Sequence, residues 1–152
     1  MQVLVMRHAP AQPGADDDPQ RMLLERSRTR LQQVSAELEA RLSSVTYVVS
    51  SPWHRARDTA ELLRPFTQAA AVETTDLLLP VGGIDPLMAL LESYVDHSVL
   101  LVGHQPLIGR FISQLLDGPS AVALSPSPGE VADLELEWPA AGLARLRRWY
   151  QI

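Results

Sequence analysis

Three times along this chain a short run of apolar, mostly branched residues stops at polar or basic side chains, and this recurrence constrains the fold more than any other feature. Val3 to Met6 stops at Arg7-His8, Val45 to Val49 at Ser50-Ser51-Pro52-Trp53-His54-Arg55, and Val99 to Val102 at Gly103-His104-Gln105-Pro106. Apolar runs without alternation belong to strands covered on both faces. Strands that alternate with helical patterns specify a mainly parallel sheet, and ligands bind such sheets outside the carboxyl ends of the strands, where loops and helix N-termini converge. Arg7, His8, Arg55 and His104 are therefore expected at one edge of one sheet. Taken singly, each has an ordinary reading: basic residues ending a core strand, a solvated helix arginine, or a buried histidine satisfied by backbone.

Between these junctions the pattern is helical. Leu31, Val34, Leu38 and Leu42 recur at intervals of three and four, predicting one long helix over 24–42 with one side against the sheet. Ser51 is read as an N-cap with Pro52 at the first helical position. Arg55 then falls in the first turn, Ala56, Thr59, Ala60 and Leu63 face the sheet, and Arg57 is free to pair with Glu61 outside. Pro65 ends that helix, 69–74 returns as a third strand, 84–94 reads as a short helix, and Pro106 opens a helix whose Leu107, Ile108, Phe111, Ile112 and Leu115 form a broad buried stripe. Residues 121–124 form a minor strand or wrap the domain edge. Val131 to Trp138 and Leu143 to Trp149, separated by Pro139-Ala140-Ala141-Gly142, form a hairpin that gives the C-terminal edge antiparallel character. Arg145, Arg147 and Arg148 are its polar face. Two loops approach the functional edge: Pro10 to Gln20, with Asp16-Asp17-Asp18, reads as an ordered surface wall, and Thr75 to Asp85 brings Asp76 and Asp85 toward the sheet.

Composition narrows the chemistry. A chain of 152 residues suggests one domain over 1–152 that buries a core without staples. With no cysteine, thiol catalysis and thiolate zinc are excluded. All 13 positive residues are arginine, so there is neither a Schiff-base lysine nor a P-loop. A net charge of -5 argues against nucleic-acid binding. No apolar run reaches a membrane span and no basic region precedes a long apolar segment, so the expectation is a cytoplasmic protein without a signal peptide or membrane partner.

Two imidazoles and two guanidiniums at one edge suit a phosphoryl group. Arginine forks match phosphoryl oxygens and spread their charge. A neutral histidine can attack phosphorus and hold it covalently until water resolves the intermediate. His8, adjoining Arg7, is the better nucleophile candidate, and His104 would hydrogen-bond the oxygens. No metal or other cofactor is expected, because two histidines without clustered carboxylates make a weak metal site.

At this point the chain resembles a known family. Arg7-His8 after an opening Gln-Val-x-x-Met strand, Ser51-Pro52-x-x-Arg55-Ala56-x-x-Thr59, and Val102-Gly103-His104 are similar to the three signatures of the histidine phosphatase (phosphoglycerate mutase-like) superfamily. Length and spacing most resemble its SixA-type branch of phosphohistidine phosphatases. The resemblance implies a three-layer α/β/α sandwich, transient phosphorylation of His8, phosphate clamping by Arg7 and Arg55, and His104 as the second phosphate-pocket histidine. Asp18-x-x-Arg21-x-Leu23 resembles the segment after the first signature in that branch, which makes Arg21 a candidate substrate contact. The family's Gly after Arg-His is Ala9 here, for which altered loop packing with retained chemistry is expected. No residue matches the Glu proton donor of the larger sugar-phosphate enzymes, leaving Asp76, Asp85 or Asp18 as candidate acids. The implied substrate is a phosphorylated histidine on another protein, such as a phosphotransfer domain or phosphocarrier. The alternatives are a small-molecule or sugar-phosphate phosphomonoesterase and a weakly active phosphate-binding module.

Overall fold

The apolar runs become adjacent strands of a six-stranded sheet in the computed structural model, which describes residues 1–152. The strands are β1 (Gln2–Arg7), β2 (Tyr47–Ser50), β3 (Val72–Thr74), β4 (Ser98–Gly103), β5 (Glu130–Glu135) and β6 (Arg145–Gln151). Their order is β3-β2-β4-β1-β5-β6. The first four are mutually parallel, β5 runs antiparallel to β1, and β6 antiparallel to β5. The carboxyl ends of β1, β2 and β4 consequently lie side by side, with Arg7 opposite Gly103 and Ser50 opposite Val102.

Alternation along the strands divides the apolar side chains between two cores. Leu4, Met6, Val48, Leu100 and Val102 pack with Leu31 of α1 (Glu25–Leu31), Leu38 and Leu42 of α2 (Ala36–Leu42), and Ala56, Ala60 and Leu63 of α3 (His54–Leu63). Val3, Val5, Val99 and Leu101 pack on the other face with Leu87 and Leu91 of α4 (Ile84–Glu92) and with the stripe of α5 (Leu107–Asp117). The result is the expected three-layer α/β/α sandwich. None of its helices is long and apolar enough to cross a membrane.

Local details depart from the sequence reading. The single helix expected over 24–42 is two, because the Ser35 hydroxyl accepts the Leu38 N–H at 3.3 Å and starts α2 afresh. The apolar spacing survives this break, and Leu31, Leu38 and Leu42 all reach the core. Residues 121–124 form no strand. Their backbone is tied to α5 instead, with Leu124 N–H donating to Ser113 Oγ at 2.8 Å and the Leu124 carbonyl accepting from Gln105 Nε2 at 3.3 Å. Gly109 makes this approach possible, since a Cβ there would collide with the Leu124 carbonyl. Arg57 does not meet Glu61; it lies 3.9 Å from Asp58, while Glu61 pairs with Arg64. Arg147 and Arg148 pair with Glu135 and Glu37, so the basic cluster is the polar surface of the edge hairpin.

One ion pair joins a buried carboxylate to a partly exposed arginine. Asp133 on β5 is 1% exposed and its carboxylate accepts two hydrogen bonds from Arg41 of α2, at 2.7 and 3.0 Å. Removing one partner of such a pair strands the other without compensation. Arg41→Ala is therefore expected to destabilise the protein by about 3 kcal/mol or more, checked by the shift in denaturation midpoint.

Candidate active site

His8 follows β1, and its backbone N–H extends the ladder to β4 through the Gly103 carbonyl at 3.0 Å. Its ring is 6% exposed. Nδ1 lies 2.8 Å from the Ala9 carbonyl, an acceptor only, so Nδ1 carries the proton and the Nε2 lone pair is free. Ala9 itself is fully buried, no non-glycine residue has a positive φ, and the Ala9 N–H donates to Thr59 Oγ1 at 3.1 Å. The methyl thus packs into the core beside β1.

Arg55, in the first turn of α3, donates from Nε to His8 Nε2 at 3.1 Å. Its two terminal nitrogens each donate at 2.7 Å, to the carbonyls of Asp18 and Asp16. The loop over 10–20 is thereby an ordered wall, as expected. Trp53 lies against both partners of the cluster, with its ring 4.8 Å from the Arg55 guanidinium carbon and 4.8 Å from the His104 ring. His104 follows β4, its ring 5.1 Å from that of His8 and its Nε2 2.8 Å from Ser51 Oγ. Ser51 Oγ also accepts the Trp53 N–H at 3.3 Å, but α3 begins at His54, so the cap position falls on Trp53 and not on Ser51. Arg7 donates from one terminal nitrogen to the Pro126 carbonyl at 3.1 Å.

Arg7, His8, Arg55 and His104 line one open cavity of about 600 Å³. Two buried nitrogens on these residues have no partner, Arg7 Nε and His104 Nδ1. His104 is held in place by the single hydrogen bond between its Nε2 and Ser51 Oγ. Neither Arg7 nor Arg55 is paired with a carboxylate, so an anion in the cavity would balance two guanidiniums.

The electrostatics agree with that requirement. Burial lowers the pKa of both arginines, and each suffers further from positive neighbours. Burial pushes His8 down to about 4, against the help of the Ala9 carbonyl and aided by Arg55 and Arg7. His104 is pushed down to about 2, by burial first and then by His8 and the arginines. Both imidazoles are neutral in the unliganded site. In an NMR titration His8 is expected to remain neutral as pH falls through 6.5 and to protonate only near 4. Saturating phosphate should move both midpoints upward, because a bound anion favours the charged rings.

Arg21 also lines the cavity, with Nε on the Gln12 carbonyl at 2.9 Å and one terminal nitrogen on Asp16 at 3.1 Å, while its other terminal nitrogen makes no hydrogen bond. None of the three candidate acids lines the cavity. The Asp18 carboxylate accepts the Gln20 N–H at 2.8 Å, Asp76 starts a 3-10 turn, and Asp85 sits exposed in the first turn of α4. Asp16 and Asp17 line the cavity instead, together with Arg26, Trp53 and Gln105, none of which the sequence reading singled out. For Trp53 a signal existed, an aromatic enclosed within the second motif.

No family model matches the chain. It is 30% identical over 123 residues to an uncharacterized protein of Picosynechococcus sp. (strain ATCC 27264 / PCC 7002 / PR-6), an alignment that spans 78% of this chain and 74% of the relative. Against the phosphohistidine phosphatase SixA of Escherichia coli (strain K12) it is 28% identical over 122 residues, spanning 78% of this chain and 76% of SixA. The solved structure of the protein histidine phosphatase SixA complexed with tungstate superposes with a TM-score of 0.84 at 24% identity, covering 99% of this chain and 97% of that one. The chain belongs to the histidine phosphatase superfamily, in its SixA-type branch.

Proposed function

We propose that the protein is a phosphohistidine phosphatase that removes the phosphoryl group from a histidine of another protein, through a covalent intermediate on His8. The observation that carries this reading is His8 itself, held neutral with Nδ1–H on the Ala9 carbonyl and Nε2 facing the Arg55 guanidinium. Arg55 moves from Nε2 to the phosphoryl oxygens as substrate enters, and Arg7 and His104, which line the same cavity, hold the other oxygens. Nε2 attacks phosphorus while the bond from phosphorus to the donor nitrogen breaks, its electron pair returning to the donor ring. That ring, protonated beforehand, departs as neutral imidazole. Because Nδ1 of His8 keeps its proton throughout, water can attack phosphorus in the second step and His8 departs as neutral imidazole too. The products are the unmodified donor histidine and inorganic phosphate, and the proton lost by the attacking water offsets the one the donor ring took up beforehand. The arginines supply the charge stabilisation, and no three His, Asp or Glu side chains converge as metal ligands.

The leaving group selects the substrate. An alkoxide needs a positioned acid, whereas a protonated phosphohistidine ring does not. Asp18, Asp76 and Asp85 stand outside the cavity, which favours phosphohistidine; the names of the SixA relatives point the same way. In this reading residues 1–152 form one catalytic domain, and the partner is a phosphorylated phosphotransfer domain or phosphocarrier in the cytoplasm. Asp16 and Asp17 are the feature that would serve the alternative, a phosphomonoesterase, since they do line the cavity. The test compares a phosphohistidine peptide, an aryl phosphate and a sugar phosphate at equal enzyme concentration. The expected kcat/KM for the phosphohistidine peptide exceeds that for the sugar phosphate by about 10²–10⁴-fold, the usual contribution of general acid catalysis. The aryl phosphate, whose phenolate leaves easily, should fall between. A sugar phosphate as the best substrate would replace this reading with the phosphomonoesterase.

A further inference from the structure

The cavity has an apolar lip that the chemistry above leaves unused. Leu79, Pro80, Val81 and Pro106 line it, and Val81 is 91% exposed. This exposure is built into the fold. Leu78, fully buried, anchors one side of the turn, and the Gly82 N–H closes it on the Leu79 carbonyl at 2.9 Å. A Cβ on Gly82 would collide with the Leu77 carbonyl and press within 2.8 Å of the Leu107 side chain, so the turn packs closely beside Val81 while the valine itself stays exposed. The same cavity is lined by the charged side chains of Asp16, Asp17, Arg21 and Arg26. The mouth is therefore mixed in character, apolar at the 79–81 turn and Pro106 and charged at the 10–20 loop and α1.

A reading of the site as a phosphohistidine phosphatase, on which this inference rests, requires the donor histidine to reach a nucleophile that is only 6% exposed. A histidine side chain is one methylene and one ring. Its backbone must come down to the rim, and the residues beside it must touch that rim. We propose that the 79–81 turn is the docking lip for the phosphorylated carrier, with Val81 seated on an apolar residue of the carrier next to its phosphohistidine. The occupant is a folded protein with a convex surface, polar on the side facing Arg26 and apolar on the side facing Val81. Free phosphohistidine has the same leaving group and no neighbouring residues, so it does not use the lip.

The experiment measures kcat/KM for the wild-type protein, Val81→Asp and Val81→Leu on two substrates: a histidine phosphotransfer protein phosphorylated with phosphoramidate, and free phosphohistidine. Val81→Asp is expected to lose about tenfold on the carrier, mainly through KM, the loss typical of one well-buried interface contact. On free phosphohistidine it should remain within about twofold. Val81→Leu should restore the carrier reaction. An unchanged Val81→Asp on the carrier, or an equal loss on both substrates, overturns the docking lip and leaves the phosphohistidine reading standing. A wild-type protein inactive on both phosphohistidine substrates overturns that reading itself, and the lip with it.

Discussion

Replacing His8 by alanine is expected to lower turnover by about four orders of magnitude or more, the scale seen when a catalytic nucleophile is removed, while phosphate still binds. The loss is chemical because no second residue stands ready to attack. His104 has its Nε2 tied to Ser51 at 2.8 Å, and the chain has no cysteine. Binding survives because both arginines keep anchors other than the ring: Arg7 the Pro126 carbonyl, and Arg55, though it loses its bond to His8 Nε2, the carbonyls of Asp16 and Asp18. Steady-state rates on an aryl phosphate, with calorimetric binding of phosphate to the same variant, check both halves. A His8→Ala protein that turns over normally rules the mechanism out.

Arg55→Ala is expected to cost roughly a hundredfold or more in kcat, the range for removal of a positioned electrostatic donor. Part of the change could come from loosening the 10–20 loop, since the Asp16 and Asp18 carbonyls lose their donors. The titration of His8 separates the two causes. Arg55 is one of the charges that holds His8 down near 4, so its removal should raise the His8 midpoint, a shift that loop disorder alone does not require. Arg55→Lys keeps the charge but loses the fork that reaches His8 and both carbonyls together, and it should recover the midpoint better than the rate.

The parts of the site that sequence made legible are those set by strand ends. Arg7, His8 and His104 adjoin apolar runs whose period is unambiguous, and a parallel sheet brings such ends to one edge whatever the loops do. Arg55 came with them because it lies within the first turn after β2. Ser51 was read as a helix cap because a Ser-Pro pair before a helical pattern satisfies every local criterion. Its hydroxyl accepts the Trp53 N–H at 3.3 Å, one step before the helix, and also bonds to a histidine 53 residues away, a contact that local pattern does not contain. The carboxylates went astray for a related reason. Asp16, Asp17 and Asp18 are equivalent in sequence, and which of them faces the cavity depends on how Arg55 draws the loop by its backbone carbonyls. The break between α1 and α2 was hidden because Leu31, Val34, Leu38 and Leu42 keep helical spacing across it, so the pattern of burial was right and the continuity of the helix was not.

The most direct test follows the phosphoryl group itself. The wild-type protein is mixed with a carrier protein bearing ³²P on its histidine, the reaction is quenched within the first turnover, and the enzyme is separated and digested. Label is expected on the peptide containing His8, labile in acid and stable in base, rising before free phosphate appears and vanishing as the carrier is exhausted. Phosphate released with no label on the enzyme, or label on the His104 peptide instead, would contradict the covalent role of His8.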